Sequence, residues 1–150
     1  MAAEYSESLS QNVASNGSLI FSESPVPCNC GFIYHRDGSG IFRLANRFVR
    51  QNFLQGCKKN SNYLVGFQAN IAIPAGGTVE PISLAMVIDG EVDLSSVMTV
   101  TPAAVGDYWN VNTQVIVQVP WICSCGNISV RNISNQTVTV QNANIVFETK

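Results

Sequence analysis

Apolar residues in this chain recur at every second position over short stretches, and Gly, Pro, Asn and Asp break the stretches apart. A helical spacing is hard to find anywhere. The alternation is clearest in Thr137-Val138-Thr139-Val140 and in Val115-Ile116-Val117-Gln118-Val119, where one side of an extended strand can face a core and the other a polar surface. Read this way, the chain is all-β. The predicted strands are Ser18–Phe21, Phe32–His35, Gly40–Leu44, Tyr63–Ile73, Ile82–Ile88, Val111–Val119, Asn127–Arg131 and Val138–Phe147.

The breaks carry turn chemistry. Asp37-Gly38-Ser39-Gly40, Asp89-Gly90 and Asn135-Gln136 are expected hairpin turns, and Pro74-Ala75-Gly76-Gly77 an expected loop. Two regions do not follow the alternation. Met1 to Gly17 is rich in Ser, Asn and Glu and reads as a polar N-terminal arm (residues 1–17), ordered only against a partner, ahead of one domain over residues 18–150. From Ala45 to Asn62, Phe48, Val49, Phe53 and Leu54 sit among Arg, Gln and Asn without a period, which suits either a helical turn or a long surface loop.

Composition sharpens the picture. With 150 residues and 46 % apolar content the chain can build one sizeable core. Only 12 % of its residues are charged, about half the share of roughly 25 % in ordinary soluble domains. Much of the surface is therefore neutral polar or covered by a partner, since uncharged β-surface invites sheet pairing in a monomer. A net charge of -2 speaks against a dedicated nucleic-acid binder. Most of the cations nevertheless fall in one stretch, Arg36, Arg43, Arg47, Arg50, Lys58 and Lys59, with Asp37 the only acid among them. That stretch is either a solvated basic loop or a docking surface for an acidic neighbour.

No apolar run approaches the ~20 residues of a membrane helix. The first residues are too polar for a secretory leader, so synthesis in a cytoplasm is expected. Asn16, Asn127, Asn132 and Asn135 each open an Asn-x-Ser/Thr triplet, read here as turn chemistry.

Candidate chemistry is sparse. His35 is the only histidine, and Tyr34, Arg36 and Asp37 beside it describe a strand end at a turn, not a catalytic set. No enzymatic activity and no cofactor are expected. Asp89, Glu91 and Asp93 alternate across a hairpin like a sparse calcium site, although calcium takes six to eight oxygen ligands and solvated turn acids give the same pattern. The five cysteines are the sharpest local signal: Cys28-Asn29-Cys30-Gly31 and Cys123-Ser124-Cys125-Gly126 echo each other, with Cys57 alone. Residues i and i+2 of a strand share a face, so Cys28, Cys30, Cys123 and Cys125 could pack as reduced thiols, form cross-strand disulfides or hold one zinc ion. Each unit follows a proline, Pro27 or Pro120, and precedes a core strand, so the two units are expected to lie together.

The order of these motifs resembles a known family. Ile33-Tyr34-His35-Arg36-Asp37-Gly38-Ser39-Gly40-Ile41-Phe42-Arg43-Leu44 is similar to the early hairpin of the tumour necrosis factor and complement-type globular heads. Tyr63-Leu64-Val65-Gly66-Phe67 resembles their central strand, and Ile82-Ser83-Leu84-Ala85-Met86-Val87-Ile88-Asp89-Gly90 a later hairpin. Ile128 to Ser134 followed by Val138 to Phe147 resembles the closing strands of bacterial and phage versions. Where the family has a Gly before the central Tyr, this chain has Ser61-Asn62. The resemblance implies a jelly-roll β-sandwich that assembles as a homotrimer. It also implies a structural virion protein made in the host cytoplasm, a bacteriophage capsid decoration or head-fibre component whose partners are other capsid proteins. A receptor- or glycan-binding head of a fibre or bacterial surface protein is the alternative.

Overall fold

In the computed structural model, residues 1–48, 59–121 and 125–150 are described. The strands are β1 (Ala2–Glu7), β2 (Gln11–Val13), β3 (Glu23–Val26), β4 (Ile33–His35), β5 (Phe42–Ala45), β6 (Ser61–Ala72), β7 (Ile82–Ile88), β8 (Glu91–Val92), β9 (Met98–Val100), β10 (Trp109–Val119), β11 (Cys125–Asn132) and β12 (Val138–Thr149). They form two antiparallel sheets. The first runs β10-β6-β12-β1-β3 with β2 also on β12, and the second runs β4-β5-β11-β7-β8 with β9 also on β7. This is the all-β architecture expected from the alternation and the jelly-roll sandwich that the resemblance implies.

The inward positions explain the long strands. In β6, Tyr63, Val65, Phe67, Ala69 and Ile71 are buried while the residues between them are not. They lie opposite Val117, Val115, Thr113, Val111 and Trp109 of β10, without a slip in register. Phe42 sits at the centre of the core: its ring lies 5.0 Å from Tyr5, 5.3 Å from Phe21 and 4.9 Å from Phe147. Such tilted and edge-on pairs add to the stabilisation from burial alone.

Residues 1–17 depart from the expected arm. β1 lies within the first sheet between β12 and β3, and Ala3, Tyr5 and Glu7 pair with Phe147, Ile145 and Ala143. Ala3, Tyr5 and Val13 belong to the core. Local composition hid this, because the partner strand of β1 lies at the far end of the sequence. Even the inward Glu7 is accommodated, accepting a hydrogen bond from the Ser22 hydroxyl.

Ser18–Phe21 is likewise not a continuous strand. It crosses from one neighbour to another through single bridges, Ser18 to Arg131 and Phe21 to Ser39, while Leu19 and Phe21 are fully buried. Gly40 is required there: a Cβ on it would stand 2.3 Å from the Leu19 carbonyl oxygen.

The expected turns at Asp37–Gly40 and Asp89–Gly90 join β4 to β5 and β7 to β8. In the second, Asp89 and Gly90 both take positive φ, 51° and 87°, as a tight two-residue hairpin demands. Between Ala45 and Asn62, the helical-turn or loop reading of residues 49–58 lies outside the described residues. The stem of that segment is pinned by the buried Asn46, which donates to the Lys59 and Val119 carbonyls at 2.9 and 3.0 Å.

Candidate functional site

The outward face of the first sheet is the most distinctive surface. Its cross-strand rows follow from the register: Asn144, Gln68 and Asn112; Val146, Gly66 and Gln114; Glu148, Leu64 and Ile116; Asn62 and Gln118; Gln141, Asn70 and Asn110. None of the β6 and β10 positions is charged. Neighbouring amides tie to each other, Asn110 donating to Asn70 at 3.1 Å and Gln118 to Asn62 at 3.2 Å. Apolar groups are interspersed, with Ile116 67 % exposed. The carboxylates of the face come from β12 and β1: Glu148 lies opposite Leu64, and Glu4 lies opposite Val146 and accepts from the Asn144 amide at 2.6 Å.

A shallow concavity of about 510 Å³ occupies the middle of this face, around Gly66, Gln68, Asn112, Gln114, Asn144 and Val146. Gly66 makes the dip. A Cβ there would meet only the Gln114 side chain, at 3.7 Å, so nothing in the chain itself demands glycine. A mid-strand glycine costs about 0.5–1 kcal/mol and commonly marks where another backbone or a ligand comes close. The flanking edge strand β10 is 11 residues long, with no charge and no proline to blunt it.

The residues singled out by sequence fall elsewhere. His35 stacks on Phe42, centroids 4.2 Å apart and planes within 14°, and its Nε2 meets the Ser39 carbonyl at 3.0 Å. Because a carbonyl only accepts, Nε2 carries a proton there, and Nδ1 is buried without a hydrogen-bond partner among the described residues. Nearby, burial raises the Tyr5 hydroxyl above its usual range, against the lowering influence of the Cys28 backbone.

Cys28 and Cys30 are bonded to each other, with α-carbons 5.2 Å apart, so the disulfide lies within the first unit. Cys125 pairs with Ala45 on β5, whose amide donates to the Phe32 carbonyl. One strand thus separates Cys125 from the chain that leaves the first unit. Cys57 and Cys123 lie outside the described residues.

Asp89, Glu91 and Asp93 do not converge. Asp89 accepts from the Asn127 amide at 2.8 Å, and Asp93 caps a short turn by accepting from the Ser95 amide at 3.0 Å. Among the described residues no group of three His, Cys, Asp or Glu could hold a metal ion. In the basic stretch, Arg47 donates to the Lys150 carbonyl at 2.6 Å, and its guanidinium lies 4.8 Å from the Phe48 ring centroid. Lys59 lies over the same ring at 5.7 Å. Arg50 and Lys58 lie outside the described residues. The outward face escaped sequence reading because its residues are the polar alternates of β6, β10 and β12, a pattern shared with any solvated sheet.

No family model and no curated protein matches the chain. Among solved structures it is similar to Eiger TNF from S. frugiperda, with a TM-score of 0.66 and 11 % identity over 98 % of this chain and 90 % of that one. Two looser overlaps carry no weight for the fold. One is a family 35 carbohydrate-binding module from Clostridium thermocellum (TM-score 0.35, 11 % identity, 90 % of this chain and 97 % of that one). The other is the CBM22-1 xylan-binding domain from Paenibacillus barcinonensis Xyn10C (TM-score 0.37, 12 % identity, 98 % and 92 %). The strand order, the two antiparallel sheets and the agreement with Eiger TNF make this fold a TNF-like jelly roll.

Proposed function

We propose that the chain is a non-catalytic head that assembles as a homotrimer through the outward face of its first sheet and serves as a structural virion component. The observation that carries the trimer is the charge-free part of that face on β6 and β10. Depletion of charge with interspersed apolar groups is the composition of an interface core. Gly66 leaves room for a neighbour at its centre, and a closed ring of copies also shelters the unprotected β10 edge. Placement in a particle, as a phage capsid decoration or head-fibre component bound to other capsid proteins, rests on the resemblance of the closing strands to phage heads and on the low charge. It is fold-level analogy.

Light scattering on the purified chain tests assembly: a threefold mass is expected, and a monomer at micromolar concentration overturns it. Ile116→Glu places a charge in the face at an exposed position and is expected to yield a folded monomer. Co-purification with native particles tests the virion role, and absence from them overturns it. A second reading, a receptor- or glycan-binding head, is favoured by a polar and aromatic cleft on the opposite edge of the sandwich.

A further inference from the structure

That cleft opens where the first sheet ends at β3 and the second at β4, and encloses about 440 Å³. Its lining includes Tyr5, Ser24, Tyr34, His35 and Arg36. The volume lies in the range of small-molecule sites, roughly 300–1,000 Å³. The floor is rigid: Tyr5 and His35 lie 4.9 Å apart, and His35 is held by its stack on Phe42 and by the Ser39 carbonyl. The Tyr5 hydroxyl belongs to the lining, where its O–H can donate to a bound ligand. On the rim, the Tyr34 ring is 53 % exposed. Ser24, in the lining, carries a second hydroxyl and donates to Asp37 Oδ1 at 3.3 Å. Arg36 is exposed and has no partner among the described residues.

An open aromatic ring, the Tyr5 and Ser24 hydroxyls and a guanidinium without a partner among the described residues, all lining one cleft, suit a ring dense in hydroxyls that also carries a carboxylate. The ring's C–H face can lie on Tyr34, its hydroxyls can use Tyr5 and Ser24, and a guanidinium fork matches a carboxylate in two parallel hydrogen bonds. We propose that this cleft binds an acidic sugar residue, with Tyr34 beneath the ring and Arg36 on the carboxylate. The proposal deepens the glycan-binding reading and is independent of threefold assembly.

The test is titration of the full chain with glucuronate and galacturonate, and with neutral glucose and galactose, followed by the NMR signals of Tyr5, Tyr34 and His35. Saturable shifts are expected with the uronates, with about tenfold or weaker binding of the neutral sugars. Arg36→Ala and Tyr34→Ala should each lose about tenfold or more in uronate affinity at unchanged melting temperature, and Arg36→Lys should restore part of the loss. No saturable shift with any of the four sugars overturns the site. Equal affinity for neutral and acidic sugars, or an Arg36→Ala variant that binds as well as the parent, overturns the acidic assignment. Light scattering on the same samples reads assembly separately: a trimer that ignores uronates defeats the cleft alone, and a monomer that binds them defeats the threefold reading alone.

Discussion

Tyr5 meets Phe147 edge-on, with ring centroids 6.1 Å apart and planes at 76°, so the first strand of the chain is clamped to the last. Removal of residues 1–17 therefore takes out a central strand and a core aromatic, and the truncated chain is expected to lose its cooperative thermal transition. Tyr5→Ala alone should cost about 3–5 kcal/mol, the usual loss on truncating a buried aromatic. Urea unfolding of both variants checks this, and a truncated chain that melts like the parent contradicts the role given to β1.

Gly66 separates stability from assembly. Because a Cβ fits beside Gln114, Gly66→Ala should leave the isolated domain as stable or more stable by about 0.5–1 kcal/mol. The bulkier Gly66→Val should fill the dip and weaken the trimer. Melting temperature and solution mass from light scattering, measured on one preparation, distinguish the two effects.

At Gly40 the opposite holds. A Cβ would press on the Leu19 backbone carbonyl, and Gly40→Ala is expected to destabilise by about 1–3 kcal/mol, as overpacking does. Gly38, at φ 79° with open space around its Cβ position, should cost only about 1 kcal/mol on the same change. Parallel denaturation curves rank them.

Tyr63 gives the fold an alkaline limit. Burial pushes its hydroxyl from 10.0 up to about 12, against the opposing pull of Arg47, and the hydroxyl donates to the Ala45 carbonyl at 2.5 Å. Between these values the unfolded chain releases the proton and the folded chain keeps it. Stability is therefore full below pH 10 and falls as pH rises toward 12. Tyr5, also raised by burial, adds to the same slope. Tyrosinate absorbance during alkaline unfolding measures it, and Tyr63→Phe should flatten it.

The Cys28–Cys30 bridge spans a sequence separation of only 2, so it closes almost no loop in the unfolded chain. Its reduction is expected to cost no more than about 1–2 kcal/mol on the chain-entropy account. Thiol titration with and without reductant, paired with melting curves, tests this, and a much larger loss would mean that the bridge also braces the entry to β4.

Legibility in the sequence followed the range of the pairing. β6, β10 and β12 alternate over many residues, so Val65, Val117 and Ile145 declare their faces without knowledge of a partner. β1 offers only Ala3 and Tyr5 among polar neighbours, and its strand character comes from β12. The same holds for the two surfaces. Gln68, Gln114 and Asn144 look like solvated alternates until the register lines them up. The cleft draws Tyr5, Ser24 and Tyr34 from three strands that local pattern could not join. The twin cysteine units were visible as spacing, whereas the Cys28–Cys30 pairing depends on how the backbone folds between them.

The place of β12 between β6 and β1 has a consequence for biosynthesis. A ribosome releases β1 first and β12 last, so until the final strand emerges the first sheet stands open along its middle, with the β1 and β6 flanks both waiting for the same partner. Contacts so distant in sequence form slowly, and open strand edges are the ones that mispair between crowded nascent chains. Closure is thus a single late event, after which β1 and the outward surface of β6 and β12 exist together for the first time, and no copy can offer a finished face to another before its own synthesis has run through Thr149.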